Sequence, residues 1–411
     1  MAKEIKRWLI EPVKEALKQR RVVHISGARQ TGKTTLTKQI IPDPDLFRSL
    51  DDTDMLNFAL ADPKSFVTNQ NRIMVIDEIQ KAPKLVSEIK LVVDKNKRPG
   101  QYLLTGSANI LTLPRISDSL AGRIRYIRLR PLTMGEILGK KPSFLNHVKK
   151  GDFPTMIPGY DKATLIELAF RGGYPEAVVL KNNNQRKRWY TDYLTALIER
   201  DLVDISQIRR KDLIMSLIGI LASWSAKFIE LSSITSSMAI HKSTLESYID
   251  ALIAMLIFDR VSPWLKTDYE RVGKRSKLYA ADTGLMASLL GWKQDEVYLN
   301  DDRSGKLLET FVYQELIAQA ELAGTYAITH YRDRQNREID FLLENDDGSV
   351  LGIEVKASHS VSKGDFRAQE WFVENILKNK KPYTGIVLYS GDRVIRFSDR
   401  FTAVPTGALW L

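Results

Sequence analysis

Short apolar runs alternate with amphipathic stretches over residues 1–140. The apolar runs at 22–26, 73–76, 102–104 and 124–129 predict buried strands. The stretches between them, such as "LTKQI", place apolar residues at helical spacing. Strands that alternate with helices indicate an α/β domain with a parallel sheet covered on both faces, whose ligand binds at the carboxyl edge of the strands.

The hydrophobic pattern of the middle of the chain changes to a period of about 3.6 residues. It predicts helices over 160–225, interrupted by "RGGYPEAV", where glycines and a proline favour a defined turn. A short helix at 232–238, a turn, a second helix at 244–252 and the strand-like "DRVSPW" then resemble a winged helix-turn-helix. Ser243 is the predicted N-cap of the second helix, with Glu246 completing a capping box. That helix either enters the major groove of DNA or docks on a protein, and the pattern leaves both open.

The last part of the chain begins with an amphipathic helix, "GKLLETFVYQELIAQA", which contains Glu309. The hairpin-like "HYRDRQNREIDFLLEN" follows, with Asp340 in its second strand. The next strand, "SVLGIEVKAS", carries Glu354 and Lys356 on one face, because residues two apart in a strand point the same way. We therefore predict three parts: a parallel-sheet domain at 1–140, a helical and winged-helix-like region at 141–295, and an α/β domain at 296–411.

The composition is that of a globular protein, since 44% of the 411 residues are hydrophobic and 27% are charged. The absence of cysteine excludes disulfide frameworks, zinc–thiolate sites and cysteine nucleophiles. The start of the sequence mixes charges at every turn, unlike a signal peptide, and the uncharged run at 213–226 is too short to span a bilayer. We expect a soluble, cytoplasmic protein without a membrane partner.

The net charge of +11 favours polyanionic partners, of which nucleic acid is the commonest. The basic residues are spread along the whole chain, so a well-solvated surface is the alternative. The segment "QRKRWY" mixes cations with aromatics, as nucleic-acid surfaces do, but its helical spacing also suits core aromatics beside a solvated basic face. Further along, "RVGKRSKLYAADTGL" either contacts phosphate or forms an exposed hairpin, through Arg271, Lys274, Arg275 and Lys277.

The strand at 22–26 runs into "GARQTGKTT", which has the G-x-x-x-x-G-K-T pattern of a phosphate-binding loop between a strand and a helix. Gly27 and Gly32 allow the tight turn that brings backbone N–H groups to the phosphates. Lys33 is placed to reach the β- and γ-phosphates and Thr34 to hold Mg²⁺, while the following helix directs its positive end at the anion. The predicted cofactor-binding residues of the loop are Gly27, Ala28, Arg29, Gln30, Thr31, Gly32, Lys33, Thr34 and Thr35.

An acidic strand end that would complete the magnesium site follows in "IMVIDEIQ". Asp77 is the expected partner of Thr34 at Mg²⁺, and Glu78 is the expected general base for the attacking water. After the next strand, "QYLLTGSAN", either Ser107 or Asn109 could sense the γ-phosphate, or each could be an ordinary turn residue.

Arg123 stands between a predicted short helix and the strand at 124–129. An arginine at this position can reach the nucleotide of a neighbouring subunit, where it offsets charge in the transition state and couples hydrolysis to assembly. Other arginines follow closely, so a surface arginine is the alternative.

The acids of the last part form a second candidate site: Glu309, Asp340 and Glu354, with Lys356. Three carboxylates suit Mg²⁺ or Mn²⁺, and Lys356 could help water attack a phosphodiester. The order of helix with Glu, strand with Asp and strand with Glu-x-Lys resembles the PD-(D/E)xK nuclease superfamily over residues 305–400. The alternative is a salt-bridged strand pair in which Lys356 neutralises Glu354 and Asp340.

Nearly the whole chain resembles the prokaryotic AAA+-type ATPases of unknown function that carry a fused C-terminal nuclease-like domain. The resemblance is carried, in order, by "GARQTGKTT", "IDEIQKAP", "LTGSAN", "SLAGRI", "RGGYPEAV", "KLYAADTGL" and "EIDF…IEVKAS". It implies ATP binding with Mg²⁺, a AAA+ core, an intervening winged-helix region and self-association into a homo-oligomer such as a hexamer.

We therefore expect an ATP-dependent enzyme that acts on DNA. Nucleotide turnover would drive rearrangement between subunits, and the winged-helix and nuclease-like parts would bind branched or end structures of DNA and nick them. The alternative is a nucleotide-gated protein-binding switch with a catalytically dead nuclease-like scaffold. An RNA-directed nuclease is a third hypothesis.

Overall fold

A computed structural model describes residues 5–69, 72–107, 120, 122–205, 211–265 and 275–411. The chain forms two compact units. Unit 1 comprises the residues up to Leu132 together with Ala251–Ile257, and unit 2 comprises Thr133–Asp250 and Phe258–Leu411. Across the described ranges, none of the helices combines the length and the apolar character needed to cross a membrane.

Unit 1 is built on a five-stranded parallel sheet with the strand order β2-β3-β4-β1-β5. Its strands are β1 (Val22–Ser26), β2 (Phe47–Ser49), β3 (Met74–Asp77), β4 (Tyr102–Gly106) and β5 (Ile124–Arg128). Its helices include α1 (Ile10–Gln19), α2 (Lys33–Ile40), α3 (Thr53–Ala61), α4 (Pro63–Val67) and α5 (Lys84–Lys95). The predicted parallel sheet is confirmed.

Alternating strand residues divide the core of unit 1 between the two faces of the sheet. Val75 and Leu103 pack on one face with α1 and α2. Ile76 and Leu104 pack on the other face with α4 and α5. Because neighbouring residues of a strand point to opposite faces, both faces need a helical cover, and the carboxyl edge of the strands is left for a site.

The middle of the chain is helical, as predicted. Its first helices are α6 (Met134–Ile137), α7 (Phe144–Lys150), α8 (Lys162–Arg171), α9 (Pro175–Val179), α10 (Asn183–Ile205) and α11 (Lys211–Ser223). They are followed by β6 (Lys227–Phe228), α12 (Leu231–Met238), α13 (Lys242–Ala254), β7 (Phe258–Val261), β8 (Lys277–Ala280), α14 (Thr283–Leu289) and α15 (Gln294–Leu299).

A small antiparallel sheet follows the helical segment, with β8 lying between β6 and β7. The succession of α12, α13, β7 and β8 has the element order predicted for a winged helix-turn-helix. Helix α13 begins at Lys242, so Ser243 lies inside its first turn and is not the N-cap that the sequence predicted. Arg271 and Lys274 lie outside the described residues.

The C-terminal part combines the long helix α16 (Asp301–Ala323) with a six-stranded mixed sheet. The sheet order is β13-β14-β12-β11-β10-β9, with antiparallel pairing from β9 to β11 and parallel pairing from β11 through β12 to β14. The strands are β9 (Tyr326–Arg332), β10 (Glu338–Asn345), β11 (Val350–Val355), β12 (Tyr383–Tyr389), β13 (Ile395–Arg396) and β14 (Phe401–Pro405).

The two faces of this mixed sheet carry separate cores. Phe341 and Ile353 pack on one face against Phe311 of α16. Leu342 packs on the other face with Phe372, which follows the short helix α17 (Arg367–Trp371). The acids predicted on α16, β10 and β11 therefore come from elements packed side by side.

The turn in "RGGYPEAV" is held by Asp282, the residue before α14. Its buried carboxylate accepts hydrogen bonds from Gly173 N at 2.6 Å and from Leu285 N at 2.8 Å. It also accepts one from Tyr190 Oη at 2.9 Å. Gly172 has φ +67°, and a Cβ there would lie 2.2 Å from Tyr190 Oη, so only glycine fits. This turn and the "ADTGL" segment are one structural unit within the helical region.

Candidate functional site

The loop between β1 and α2 is fixed by its glycines. Gly32 adopts φ 93° immediately before α2 begins at Lys33, and Gln30 is also left-handed, with φ 59°. A Cβ at Gly27 would lie 2.6 Å from the carbonyl oxygen of Leu129. The tight turn that the sequence predicted therefore depends on backbone conformations and on a close approach that suit glycine.

Lys33 folds back over the loop. Its Nζ donates hydrogen bonds to the carbonyl oxygens of Gly27 at 2.9 Å and Ala28 at 3.0 Å, and the residue is buried. The amino end of α2 carries the partial positive charge of the helix dipole, so this loop presents a buried ammonium beside backbone N–H groups. Such an arrangement suits phosphate oxygens, which can replace the neutral carbonyls as partners of Lys33.

The loop is braced from outside by Arg7, which the sequence analysis missed. Arg7 Nη1 donates to the carbonyl of Thr31 at 2.8 Å, and Nη2 donates to the carbonyl of Arg130 at 2.6 Å. Thr31 Oγ1 in turn donates to the carbonyl of Ala28 at 2.8 Å. Among the other predicted loop residues, Arg29 is half-buried and Thr35 is exposed.

Asp77, at the carboxyl end of β3, contacts Thr34, the residue with which it is predicted to share Mg²⁺. Thr34 Oγ1 donates to Asp77 Oδ2 at 2.9 Å, although the two residues are 43 positions apart. Thr105 Oγ1 at the end of β4 donates to the other carboxylate oxygen, Oδ1. A buried carboxylate beside a threonine hydroxyl is the hard-oxygen donor set that Mg²⁺ takes next to phosphates, so these residues fit that ion.

Glu78 is joined to Ser107 through Gln80. The backbone N of Glu78 donates to Thr105 Oγ1 at 3.2 Å, and Glu78 adopts a left-handed φ of 58°. Gln80 Nε2 donates to the Glu78 carboxylate and, at 2.9 Å, to Ser107 Oγ. Strained backbone of this kind is concentrated at functional sites. Glu78 and Ser107 were predicted from separate motifs, Gln80 was not predicted, and Asn109 lies outside the described residues.

Arg123 precedes β5 at the amino edge of the parallel sheet, where Val22 pairs with Ile124. The phosphate-binding loop leaves the opposite edge. The Arg123 guanidinium binds Asp94, with Nη2 3.1 Å from Oδ2, and holds the pKa of that carboxyl below its usual range. Arg123 could therefore contact a nucleotide only in a neighbouring subunit, and this role stays a prediction.

The second candidate site brings together Glu309 of α16, Asp340 of β10 and Glu354 of β11. Lys356 Nζ donates to Glu354 Oε1 at 3.0 Å. The backbone N of Val355 donates to Asp340 Oδ2 at 2.9 Å. The spacing of Glu354 and Lys356 thus predicted a real contact.

Lys277 of β8 enters this acid cluster from the small antiparallel sheet. Its Nζ lies 2.9 Å from Glu309 Oε1, 2.5 Å from Glu338 Oε1 and 3.6 Å from Asp340 Oδ1. The residue is 0% exposed. Lys277 was expected on an exposed hairpin or against phosphate, and both expectations are wrong, because the side chain is buried among carboxylates of its own chain.

Burial and the neighbouring charge of Asp340 raise the pKa of the Glu309 carboxyl to about 7, against the opposing effect of Lys277. Burial likewise raises the pKa of Glu354 to about 8 and that of Asp340 above its usual value. For Lys277, burial alone would lower the pKa, but the neighbouring acids outweigh it and hold the pKa above the ordinary value. The ammonium therefore stays charged at any physiological pH.

The fit of a divalent ion to this second site can be judged from its neighbours. Within the ranges that the structure describes, no three acidic or histidine side chains form a group that could hold a metal ion. The ammonium of Lys277 stands where three of the carboxylates converge. As arranged, these residues do not fit Mg²⁺ or Mn²⁺.

Three family models match consecutive parts of the chain. An AAA domain matches residues 19–138, a domain of unknown function (DUF8612) matches residues 162–296, and a second domain of unknown function (DUF4143) matches residues 304–409. The chain therefore carries an AAA-type ATPase domain followed by two domains whose function the models do not assign.

Similar proteins align with most of the chain. An uncharacterized protein of Mycobacterium tuberculosis is 25% identical over 397 residues, which cover 96% of this chain and 82% of the relative. An uncharacterized protein of Methanocaldococcus jannaschii is 25% identical over 371 residues, covering 86% of this chain and 78% of the relative. Among solved structures, the Walker-type ATPase of Pyrococcus abyssi is 14% identical, with a TM-score of 0.39, over 68% of this chain and 94% of that one.

Proposed function

We propose that unit 1 of this AAA-domain protein binds and hydrolyses ATP with Mg²⁺. The observation that carries the proposal is the contact between Thr34 and Asp77, 2.9 Å long, directly below the loop that holds Lys33. The contact supports the proposal, because nucleotide hydrolysis uses a phosphate-binding loop together with a hydroxyl and a carboxylate that hold Mg²⁺.

Binding of the triphosphate would change the partners of Lys33. Its Nζ would exchange the carbonyls of Gly27 and Ala28 for phosphate oxygens, while the backbone N–H groups of the loop bind the remaining oxygens. Thr34 and Asp77 would hold Mg²⁺, which neutralises charge on the phosphates.

Glu78 supplies the base in this proposal. Its carboxylate would accept a proton from the attacking water, and the hydrogen bond from Gln80 fixes where that carboxylate lies. Ser107, bound to the same amide, is placed to report whether the γ-phosphate is present. Because one amide contacts both residues, loss of the γ-phosphate would be transmitted directly to the base.

A homo-oligomer follows from the role proposed for Arg123. The guanidinium lies at the sheet edge opposite its own loop, so it would act on the nucleotide of an adjacent copy. Arg123→Ala should then lose turnover while ATP still binds. Unchanged hydrolysis in this variant would show that Arg123 is only the partner of Asp94.

Phosphate release from ATP by the purified chain tests the main proposal. Lys33→Ala should lower turnover by about a hundredfold or more, since an ammonium that neutralises transition-state charge is removed. Lys38→Ala is the matched control, because Lys38 is exposed on the same helix. Equal turnover in the parent, Lys33→Ala and Lys38→Ala proteins would refute the proposal.

DNA is the first proposed partner of this nucleotide switch. The net charge of +11 and the winged-helix order of α12, α13, β7 and β8 support it. Binding should fall steeply with salt, and ATP turnover should rise with duplex, forked or four-way DNA. A parallel series with RNA tests the third hypothesis of the sequence analysis.

A protein partner is the second candidate, and the exposed face of α13 favours it. Lys242 Nζ lies 3.9 Å from Glu246, and Asp250 lies 3.0 Å from Arg260. A helix that reads DNA would present cations to the phosphates, whereas this face pairs its charges within the chain. Unit 2 would then be a docking module with a catalytically dead nuclease-like scaffold.

One binding series separates the two candidates. Parent protein with and without a non-hydrolysable ATP analogue is titrated with DNA at low salt and, in parallel, used to capture partners from a cell extract. Salt-dependent DNA affinity supports the first candidate. A stable protein complex that depends on nucleotide, without such affinity, supports the second.

A further inference from the structure

The acid cluster of unit 2 contains its own cation. We propose that the ammonium of Lys277 takes the place of a divalent metal among Glu309, Glu338 and Asp340, so that the six-stranded sheet works as a metal-free module. This inference does not depend on ATP hydrolysis in unit 1, and failure of either proposal leaves the other standing.

Each acidic side chain of the cluster lies near a lysine or arginine side chain. Lys277 contacts three carboxylates at 2.5 to 3.6 Å, and Lys356 contacts Glu354 at 3.0 Å. Arg332 adds a further guanidinium 3.7 Å from Glu338. Each acid of the cluster therefore has a cationic neighbour from its own chain, and a buried carboxylate with such a neighbour has less need of a metal.

The position of Lys277 is fixed by the sheet that carries it. Lys277 pairs with Phe228 of β6 on one side and with Val261 of β7 on the other, so the strand register holds its Cα. The Phe228 ring lies below Nζ at 5.5 Å, and Tyr279 Oη donates to the same Glu309 oxygen at 2.7 Å. A lysine enclosed in this way cannot swing into solvent to admit an ion.

Electrostatics favours the same conclusion. A divalent ion bound by Asp340 and Glu354 would stand close to the ammonium, and repulsion between buried cations is little screened. Without the ammonium, the buried carboxylates would lack a compensating charge and would attract a divalent ion. Lys277 is thus the residue that decides whether this cluster accepts a metal.

Mn²⁺ binding to the nucleotide-free full chain is the first test. Calorimetry of the parent protein should show no saturable binding of Mn²⁺ to the acid cluster in the micromolar range. The Asp340→Asn and Glu354→Gln variants should therefore give the same titration as the parent. Saturable binding that either substitution abolishes would overturn the proposal, and this result does not depend on whether any Lys277 variant folds.

Substitution of Lys277 is the second test. Lys277→Met should gain Mn²⁺ affinity by about tenfold or more, and the gain should vanish when Glu354→Gln is added. Lys277→Arg keeps the charge and should show no gain, while Lys356→Met should gain less, because Lys356 is one-third exposed and contacts a single acid. A native-like circular dichroism spectrum without any gain in Lys277→Met would count against the proposal.

Acetylation of surface lysines provides a third test in the parent protein. Mass spectrometry of the native chain should find Lys356 modified and Lys277 unmodified, with or without Mn²⁺. Modification of Lys277 at the rate of Lys356 would show that the ammonium leaves the cluster, which contradicts a built-in cation.

Discussion

Two buried lysines distinguish the two candidate sites of this chain. Lys33 of unit 1 donates to two neutral backbone carbonyls, whereas Lys277 of unit 2 contacts three carboxylates. Phosphate oxygens readily replace neutral carbonyls as partners of an ammonium, whereas carboxylates bind the ammonium strongly and are neutralised by it. A buried lysine thus prepares the loop of unit 1 to bind an anionic ligand, whereas a second buried lysine prevents the acid cluster of unit 2 from binding a cation.

The two sequence motifs behind these sites also differ in how well they predict a ligand. "GARQTGKTT" is a local pattern whose residues act together within one turn of the chain. The acid pattern of Glu309, Asp340 and Glu354 has the order of a metal site, but its charge balance is set by a lysine from a different sheet. The order of acids alone does not reveal such a neighbour.

The largest expected effect concerns the base of unit 1. Glu78→Gln should lower ATP turnover by about a thousandfold while ATP still binds, because the amide cannot accept a proton from water. Glu88→Gln, on the neighbouring helix α5, is the control. Phosphate release and nucleotide binding are measured together, and a small loss of turnover would mean that another group activates the water.

The corresponding change in unit 2 should affect stability instead of turnover. Lys277→Ala leaves buried carboxylates without compensation and should destabilise unit 2 by about 3 to 5 kcal/mol. Lys356→Ala is the control and should cost no more than about 1 kcal/mol, because that pair is partly exposed. Hydrogen exchange of β10 and β11 measures the loss of stability in both variants. Equal losses in Lys277→Ala and Lys356→Ala would show that Lys277 has no special role in the cluster.

A smaller effect should follow from Gln80→Ala. Removal of the amide that contacts both Glu78 and Ser107 should lower turnover by about tenfold, mainly in kcat, because the base is misplaced but still present. Gln19→Ala, at the exposed end of α1, is the control. If turnover is unchanged, Gln80 does not position Glu78.

The last effect is the pH dependence that Glu315 gives to unit 2. Burial raises the pKa of this carboxyl from 4.5 to about 7, against hydrogen bonds from Met134 N and Trp410 Nε1. The folded state then binds this proton more tightly, so the contribution of Glu315 to stability is greatest below pH 4.5 and is lost as the pH rises to about 7. The fall should not exceed about 3.5 kcal/mol, since one pKa unit corresponds to about 1.4 kcal/mol.

Denaturant unfolding at several pH values measures this slope. Glu315→Gln should flatten it, whereas Glu374→Gln, an exposed control, should leave it unchanged. Glu309 and Glu354 act in the same direction, so the slope should be reduced and not abolished. An unaltered slope in Glu315→Gln would mean that Glu315 does not titrate in this range.

The parallel sheet, the helical middle and the α/β character of the C-terminal part could be predicted because each follows from a local period of apolar residues, whereas the mixed strand pairing of the C-terminal sheet was not predicted. The pairing of Thr34 with Asp77 followed from two linked motifs. Arg7 and Gln80 were not predicted, since Arg7 binds carbonyls 24 and 123 positions away, and a glutamine three residues after a strand has no distinctive signal. Lys277 was misplaced because its partners come from α16 and β10, which only tertiary packing brings to β8.

The most direct test of the two-lysine account is the number of Mn²⁺ ions bound to the full chain, measured by equilibrium dialysis with and without a non-hydrolysable ATP analogue. We predict one tightly bound Mn²⁺ per chain in the presence of the analogue, lost in Thr34→Ala, and none without it. A nucleotide-independent Mn²⁺ that Asp340→Asn removes would contradict the account.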